Sequence, residues 1–185
     1  MQFLRVIFFI CLSTSMLIHS NTSLAQKAVS REYQLKAIFL YNFSQFVTWP
    51  ANSFSAEDAP MVIGIVGTDP FGAHLEEAIS GEKMNGHPLT VERYATAEEI
   101  GTCQILFVNL PDAAKREQAI AAVKGKNILT VSDAFDFLEL GGMIRFFTRQ
   151  GKLKLEVNLD TTKEANLEIS SKLLRLVEIF KPTNK

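Results

Sequence analysis

Apolar positions along the chain follow two different periods, and their order predicts an α/β protein. Residues 30–49 repeat apolar side chains at helical spacing until Pro50, which stops the helix. From Met61 onward, short apolar runs bounded by turn residues predict buried strands that alternate with helices. The predicted strands are 61–67, 89–94, 104–108 and 127–131, and the predicted helices are 71–79, 111–123 and 134–140, with a short helix beginning at Thr96.

The first predicted helix carries an apolar stripe wide enough to contact two neighbours. The stripe is formed by Leu35, Ile38, Phe39, Phe43, Phe46 and Val47 and is widened by Leu40 and Tyr41. Burial against the sheet accounts for such a stripe in an ordinary α/β domain. A share in an oligomer or partner interface is the alternative.

The end of the chain departs from the alternation. Two predicted strands, Met143–Thr148 and Lys152–Leu159, flank Arg149-Gln150-Gly151, which has the length and chemistry of a tight hairpin turn. The second strand alternates apolar and polar residues, so one face should meet the core and the other solvent or a partner. Asp160 is predicted to cap a helix that runs to about residue 166, and a further helix is predicted over 172–180. The latter is capped by Ser170, and its apolar residues should face the core.

These elements predict a single α/β domain over residues 26–185. Its sheet should be largely parallel with a late antiparallel hairpin and helices on both faces, as in Rossmann-like or flavodoxin-like sandwiches. No internal repeat or second domain interrupts the pattern.

Residues 1–25 have the features of a secretory signal peptide. Arg5 precedes an apolar run, and Ser23-Leu24-Ala25 provides a cleavage site of small residues. An uncleaved N-terminal anchor is the alternative. Cleavage removes one base and no acid, so the net charge changes from −1 to −2. This near-neutral charge disfavours nucleic-acid binding, which needs a concentrated positive surface.

Cysteine content limits the possible chemistry. Of the two cysteines, Cys11 lies in the signal peptide, so cleavage leaves Cys103 unpaired and precludes an intramolecular disulfide. Together with His74 and His87, a single thiol is too small a set for a structural zinc site. A buried, inert thiol is the simplest interpretation of Cys103, and an intermolecular disulfide is the alternative. We predict neither a metal nor a cofactor.

Residues 61–72 are predicted to form a strand, a glycine-bearing turn and a helix start, the arrangement with which many α/β proteins bind phosphate. Asp69 suits the N-cap of this helix, and Pro70 suits its first position. The glycines Gly64, Gly67 and Gly72 lack the spacing of a dinucleotide-binding motif. Because the Asp69 carboxylate would occupy the place of the anion, the stretch is better explained as a capped corner between strand and helix.

The sequence assembles no nucleophile, base and oxyanion donor, so we predict that the protein is not an enzyme. Ser132 and Asp133 follow a strand at the carboxyl edge of the predicted sheet, where open α/β folds bind ligands. Neither His74 nor His87 has an assignable catalytic partner. A small-ligand pocket formed by Asp69, Ser132 and Asp133 is a secondary hypothesis.

Segments spread over nearly the whole mature chain resemble the YfiR family of periplasmic regulators. They are LKAIFLYNF (35–43) with Phe46-Val47 and Trp49-Pro50, GIVGTDPFG (64–72), CQILFV (103–108), LTVSD (129–133), GGMI (141–144), LEVNL (155–159) and ISSKLL (169–174). The order of the segments is that of the family, which makes the resemblance specific as a set.

The resemblance implies a periplasmic homodimer that represses an inner-membrane diguanylate cyclase by binding its periplasmic sensor domain. It also implies lower cyclic-di-GMP and biofilm output, and release of repression through an outer-membrane protein that sequesters the repressor. A sensor kinase is an alternative partner, and a periplasmic small-ligand sensor is an alternative function. The best-known relatives carry disulfides, so redox sensing through an internal disulfide does not transfer to a chain that keeps only Cys103.

Partner binding requires an exposed surface of apolar and polar groups rather than a catalytic pocket. The outward face of the late hairpin is the candidate. Glu156 and Asn158 should share that face, with Arg145 and Phe147 across the hairpin. An ordinary solvated face with a cross-strand arginine–glutamate pair explains the same pattern equally well.

Overall fold

A computed structural model describes Gln26 and residues 29–182 of the chain. The predicted signal peptide therefore lies outside the described residues. The elements in chain order are α1 (29–46), β1 (Val47–Thr48), β2 (Met61–Gly67), α2 (His74–Ile79), β3 (Lys83–Met84), β4 (His87–Tyr94), β5 (Ile105–Asn109), α3 (Ala113–Val123), β6 (Leu129–Ser132), β7 (Ile144–Arg149), β8 (Lys152–Val157), α4 (Leu159–Glu164), β9 (Glu168–Ile169), α5 (Ser171–Leu174) and β10 (Glu178–Ile179).

Across the described residues, the main sheet has eight strands in the order β10-β8-β7-β6-β5-β2-β4-β3. β4, β2, β5, β6 and β7 are parallel, which is the flavodoxin-like order with its switch point between β2 and β5. β8 returns antiparallel to β7, and β10 adds parallel to β8. The predicted α/β class, with a largely parallel sheet and a late hairpin, is confirmed.

Apolar side chains form one core on each face of the sheet. On the first face, α1 and α2 pack on the strands with residues such as Leu40, Phe43 and Leu75, all fully buried. On the second face, α3 and the turn after β6 pack on β2 and β5. Among the residues that the structure describes, β7 and β8 contribute none to this second core. The hairpin is therefore packed on one side only.

The switch point between β2 and β5 is closed by backbone contacts. Gly67 has φ of +92°, and a Cβ built there would lie 2.2 Å from the carbonyl oxygen of Asn109. The Asn109 side chain donates to the carbonyl of Thr68 at 2.7 Å. Glycine is therefore required at the end of β2 because two chain segments approach closely, and the interpretation of this turn as a phosphate cradle gains no support.

Three helix predictions need correction. α2 begins at His74, because Asp69 accepts a hydrogen bond from the amide of Phe71 at 2.7 Å and makes a local turn instead of capping the helix. The predicted short helix at Thr96 is a single 3₁₀ turn over Ala97–Glu99. The predicted helix 134–140 is a series of turns that ends at Gly141-Gly142, with the Gly142 amide bonded to the carbonyl of Phe137 at 2.9 Å.

The predicted helix 172–180 is also wrong. Only α5 is helical, with Ser170 as its N-cap as expected. The chain then extends into β10, where the amide of Phe180 donates to the carbonyl of Val157 at 2.9 Å. The open edge of β8 supplies backbone partners that a helix would have left unpaired, which explains the change. Leu176, predicted as core, is 67% exposed.

The stripe on α1 is rotated from the prediction. Lys36 and Ala37 are buried against the sheet, whereas Leu35 and Ile38 are each 44% exposed. Within the part of the chain that the structure describes, no helix is both long enough and apolar enough to cross a bilayer.

Candidate partner-binding surface

The β7–β8 hairpin is built around a two-residue turn. Gln150 and Gly151 both have positive φ, 52° and 69°, as tight hairpin turns of this kind require. The ladder pairs Arg145 with Glu156, Phe147 with Lys154 and Arg149 with Lys152. Because successive residues of a strand point to opposite faces, these six side chains share one face. The predicted hairpin is therefore present with a defined register.

The opposite side of the same strands fixes that register. Phe146, Leu155 and Val157 are 0–2% exposed and belong to the core under α1. A slip by one residue would bury the charged side chains and expose these apolar ones. We call the outward set the hairpin face; it consists of Arg145, Phe147, Arg149, Lys152, Lys154 and Glu156, together with Glu178 of β10.

An aromatic ring lies between two guanidinium groups on the hairpin face. The Phe147 ring centroid is 5.2 Å from the Arg145 guanidinium carbon and 5.0 Å from that of Arg149. Each arginine is also paired with an acid: Arg145 with Glu156 at 2.5 Å and Arg149 with Glu178 at 2.8 Å. These contacts hold the ring and both arginines in place, which lowers the entropy cost of binding a partner.

Phe135 extends the hairpin face toward the turn after β6. Its side chain is 82% exposed, and its carbonyl accepts a hydrogen bond from Arg145 at 3.0 Å. The Nε of Arg145 is buried without a hydrogen-bond partner among the described residues. A large exposed ring beside an aromatic–arginine cluster is the composition that protein interfaces favour.

Asn158 does not lie on the hairpin face, so that part of the prediction is wrong. It is 7% exposed, and its Oδ1 accepts from the amides of Asp160 and Thr161 at 3.1 and 3.3 Å. It is thus the N-cap of α4, a role that the sequence pattern had suggested for Asp160. The signal was present in the sequence, because asparagine directly before a helix is a preferred N-cap.

The structure adds residues that the sequence pattern did not assign to this surface. Arg149, Lys152 and Lys154 follow directly from the strand alternation that placed Arg145 and Glu156 there. Phe135 could not be assigned because its segment was predicted as a helix, and Glu178 because β10 was not foreseen.

The secondary site, Asp69, Ser132 and Asp133, consists of polar groups that are already paired. Asp69 bonds Arg93 at 2.7 Å in addition to the Phe71 amide. The Ser132 hydroxyl donates to the carbonyl of Val108 at 2.7 Å and accepts from the Ala134 amide. These residues line none of the described cavities. The ligand-pocket hypothesis stays a prediction.

Asp133 instead anchors α1 to the sheet. Lys36 Nζ lies 2.7 Å from Asp133 Oδ2 and 2.7 Å from Glu32, and the Tyr33 hydroxyl donates to the same Asp133 oxygen at 3.0 Å. Burial, followed by the Asp133 charge, raises the pKa of Tyr33. This cluster fixes the start of the turn that carries Phe135.

Two of the described cavities lie at the amino-terminal edge of the sheet. A cleft of about 480 Å³ separates α3 from α4, with Ile120, Met143 and Ala165 among its apolar lining and Glu117 and Lys124 among its charged lining. A second, of about 430 Å³, lies beside Ser53 and Cys103. Neither aligns a nucleophile with a base.

The remaining candidate groups have structural partners. Burial raises the pKa of the Cys103 thiol to about 12, and Glu92 adds to the effect, so the thiol is protonated at neutral pH. His74 contacts Ser30 and Glu77, whereas His87 stacks on Phe54 at 3.9 Å and lies 2.6 Å from the carbonyl of Ala59. Within the described residues, no three His, Cys, Asp or Glu side chains are grouped to hold a metal.

Two solved structures overlap partly with this fold. One is an ABC domain from Streptococcus pneumoniae in complex with L-Trp, with 12% identity, a TM-score of 0.47, and coverage of 65% of this chain and 55% of that one. The other is a conserved domain protein from Vibrio cholerae, with 13% identity, a TM-score of 0.47, and coverage of 65% and 54%. The chain spans about half the length of these structures. At this level of similarity, neither supports a functional assignment.

The chain matches a known protein family over most of its length. The model of the family described as YfiR/HmsC-like matches residues 33–178, which is most of the chain and includes most of α1 and the complete hairpin. The match confirms the resemblance found in the sequence segments. The chain therefore belongs to the YfiR/HmsC-like family.

Proposed function

We propose that the protein is a periplasmic repressor that binds the periplasmic sensor domain of an inner-membrane diguanylate cyclase and thereby lowers cyclic-di-GMP. Membership of the YfiR/HmsC-like family supports the coarser part of this statement, a periplasmic regulator of cyclic-di-GMP signalling. The hairpin face is the binding surface in this proposal. The observation that carries it is Phe147, held between two arginines on a strand whose outward side adds nothing to the second core.

Repression through this surface needs no chemistry at the repressor. A protein that binds one conformation of a sensor domain better than another shifts the population toward that conformation. A rigid surface serves this purpose better than a mobile loop, because less ordering entropy is lost on binding. The hairpin meets this condition, since its other side is embedded in the core under α1.

The test uses a charge reversal in the Arg145–Glu156 pair. Glu156→Lys should raise cyclic-di-GMP toward the level without repressor, in cells that contain a diguanylate cyclase with a periplasmic sensor domain encoded beside this chain. Glu57→Lys, an exposed loop residue, provides the matched control with the same charge change.

A second variant separates binding from folding. The double variant Arg145→Glu with Glu156→Arg restores the attraction between the two side chains. It also swaps the positions of the positive and the negative charge that a partner would contact. If Glu156→Lys acts only by destabilising the hairpin, the exchange should recover repression. If the surface binds the partner, repression should stay low although the melting temperature recovers. Full repression by a Glu156→Lys variant that is exported and folded like the wild type would contradict the proposal.

A small-ligand sensor is the second candidate function. It is favoured by the cleft between α3 and α4, which combines apolar walls with charges of both signs. Thermal shift measurements with amino acids and nucleotides test it, and a saturable rise in melting temperature would support this alternative.

A further inference from the structure

The hairpin face carries more positive charge than its own two acidic side chains neutralise. Arg145 and Arg149 are neutralised by Glu156 and Glu178. Lys152 and Lys154 are exposed, and neither has a carboxylate within 4.0 Å among the described residues. The whole chain has a net charge of −1, so this excess of two positive charges is a local property of the face.

Apolar groups lie directly beside the unpaired lysines. Phe147 is the cross-strand neighbour of Lys154, and Lys152 is opposite Arg149 at the hairpin end. Phe135 marks the other end of the surface, 82% exposed next to Arg145. The face thus presents Lys152 at the hairpin end, Lys154 beside the half-buried Phe147 ring at its centre, and the exposed Phe135 ring at its far end.

We propose, building on the proposed function, that the segment bound by the hairpin face is acidic with apolar side chains between its acids. Its carboxylates pair with Lys152 and Lys154, and its apolar groups contact Phe135 and Phe147. Opposite charges at the rim of an interface speed association and select against partners of the wrong sign, whereas the rings supply the buried contact.

The two acids on the face argue for a protein segment over a polyphosphate or an anionic membrane. Glu156 and Glu178 lie among the four basic side chains, where their carboxylates would repel a dense row of phosphates. Two excess charges are also few for a surface that binds polyanions through counterion release. A peptide can place carboxylates beside the lysines and apolar groups elsewhere, which fits this mixed pattern.

The experiment uses three short peptides that alternate leucine with glutamate, glutamine or lysine. Their binding to the full mature chain is followed by NMR shifts of the hairpin amides. We expect the glutamate peptide to bind at least about tenfold more tightly than the lysine peptide and to lose affinity as salt rises. Lys152→Glu with Lys154→Glu should reverse the preference. Lys83→Glu, on the strand at the opposite edge of the sheet, is the matched control.

The outcomes separate this inference from the proposed function. Equal binding of the three peptides, or no effect of the lysine reversals, overturns the acidic-partner inference while repression by the hairpin face can still hold. Lysine-dependent binding to phosphatidylglycerol vesicles without preference among the peptides also overturns it, in favour of a membrane surface. Loss of repression in Glu156→Lys is read separately in cells, so failure of the proposed function leaves the peptide result interpretable.

Discussion

Lys36 Nζ lies 2.7 Å from Oδ2 of Asp133, which joins the first helix to the turn that follows β6. Lys36 is 2% exposed, and Asp133 and Glu32 are the ion-pair partners of its buried ammonium group. The turn anchored in this way continues to Phe135, whose carbonyl binds Arg145 of the hairpin. The ion pair therefore connects the packing of α1 with the shape of the hairpin face.

Asp133→Ala should destabilise the protein by roughly 2–3 kcal/mol, because it leaves a buried lysine with only a half-exposed partner. Urea unfolding measures the loss. Asp112→Ala is the control, since the Asp112–Lys115 pair is exposed on both sides and should change stability by less than about 0.5 kcal/mol. Equal effects of the two variants would show that the buried pair does not stabilise the fold.

Burial of the Cys103 thiol should make stability fall at alkaline pH. The pKa is raised from 9.0 to about 12 in the folded protein, so between these values the folded state holds a proton that the unfolded state releases. Its contribution to stability is complete below pH 9 and is lost as pH rises toward 12, by up to about 1.4 kcal/mol per pH unit.

Urea unfolding at pH 8 and pH 10.5 tests this in the wild type and in Cys103→Ala. The variant should show the flatter pH dependence, with a remaining slope from Tyr33 and Tyr94, since burial also raises the pKa of each. The thiol should react with a soluble disulfide reagent only after denaturant is added. Rapid reaction of the native protein would contradict the buried position and reopen an intermolecular disulfide.

Local signals in the sequence were sufficient for the hairpin and for most strands. The turn chemistry of Gln150-Gly151 and the alternation of β8 fix the register without help from distant parts of the chain. Phe135 and Glu178 required tertiary information. The segment around Phe135 is shaped by the anchor at Asp133, and Glu178 reaches the hairpin face because the edge of β8 recruits β10.

The first helix also shows that a local sequence pattern does not determine tertiary packing. Helical periodicity identified α1, but a stripe that covers most of its circumference does not say which side meets the sheet. The structure buries Lys36, which the sequence pattern alone would assign to solvent, because Asp133 and Glu32 are placed to pair with it. Asn158 was assigned to the wrong surface for a related reason, since strand alternation was extended one residue past the end of β8.

We propose that the exposed side of α1 contributes to a homodimer. Leu35 and Ile38 lie one helical turn apart, and each is 44% exposed, so together they form a small apolar patch that a second copy would bury in this proposal. Leu35→Asp with Ile38→Asp should give a monomer in sedimentation without lowering the melting temperature. Val29→Asp provides a control at an exposed apolar residue near the start of the helix. A wild-type protein that sediments only as a monomer at micromolar concentration would remove this prediction.

Phe135 and Phe137 should separate partner binding from stability, because they are two residues apart with opposite environments. Phe137 is fully buried, and a Cβ at Gly142 would strike its ring at 2.3 Å, so the ring fills its site completely. Phe137→Ala should cost about 3–5 kcal/mol of stability. Phe135→Ala, at a position 82% exposed, should change stability by less than about 0.5 kcal/mol but weaken the proposed repression of the cyclase. Stability is read from urea unfolding and repression from cyclic-di-GMP in cells. If Phe135→Ala represses as well as the wild type, the surface that binds the partner ends at Phe147.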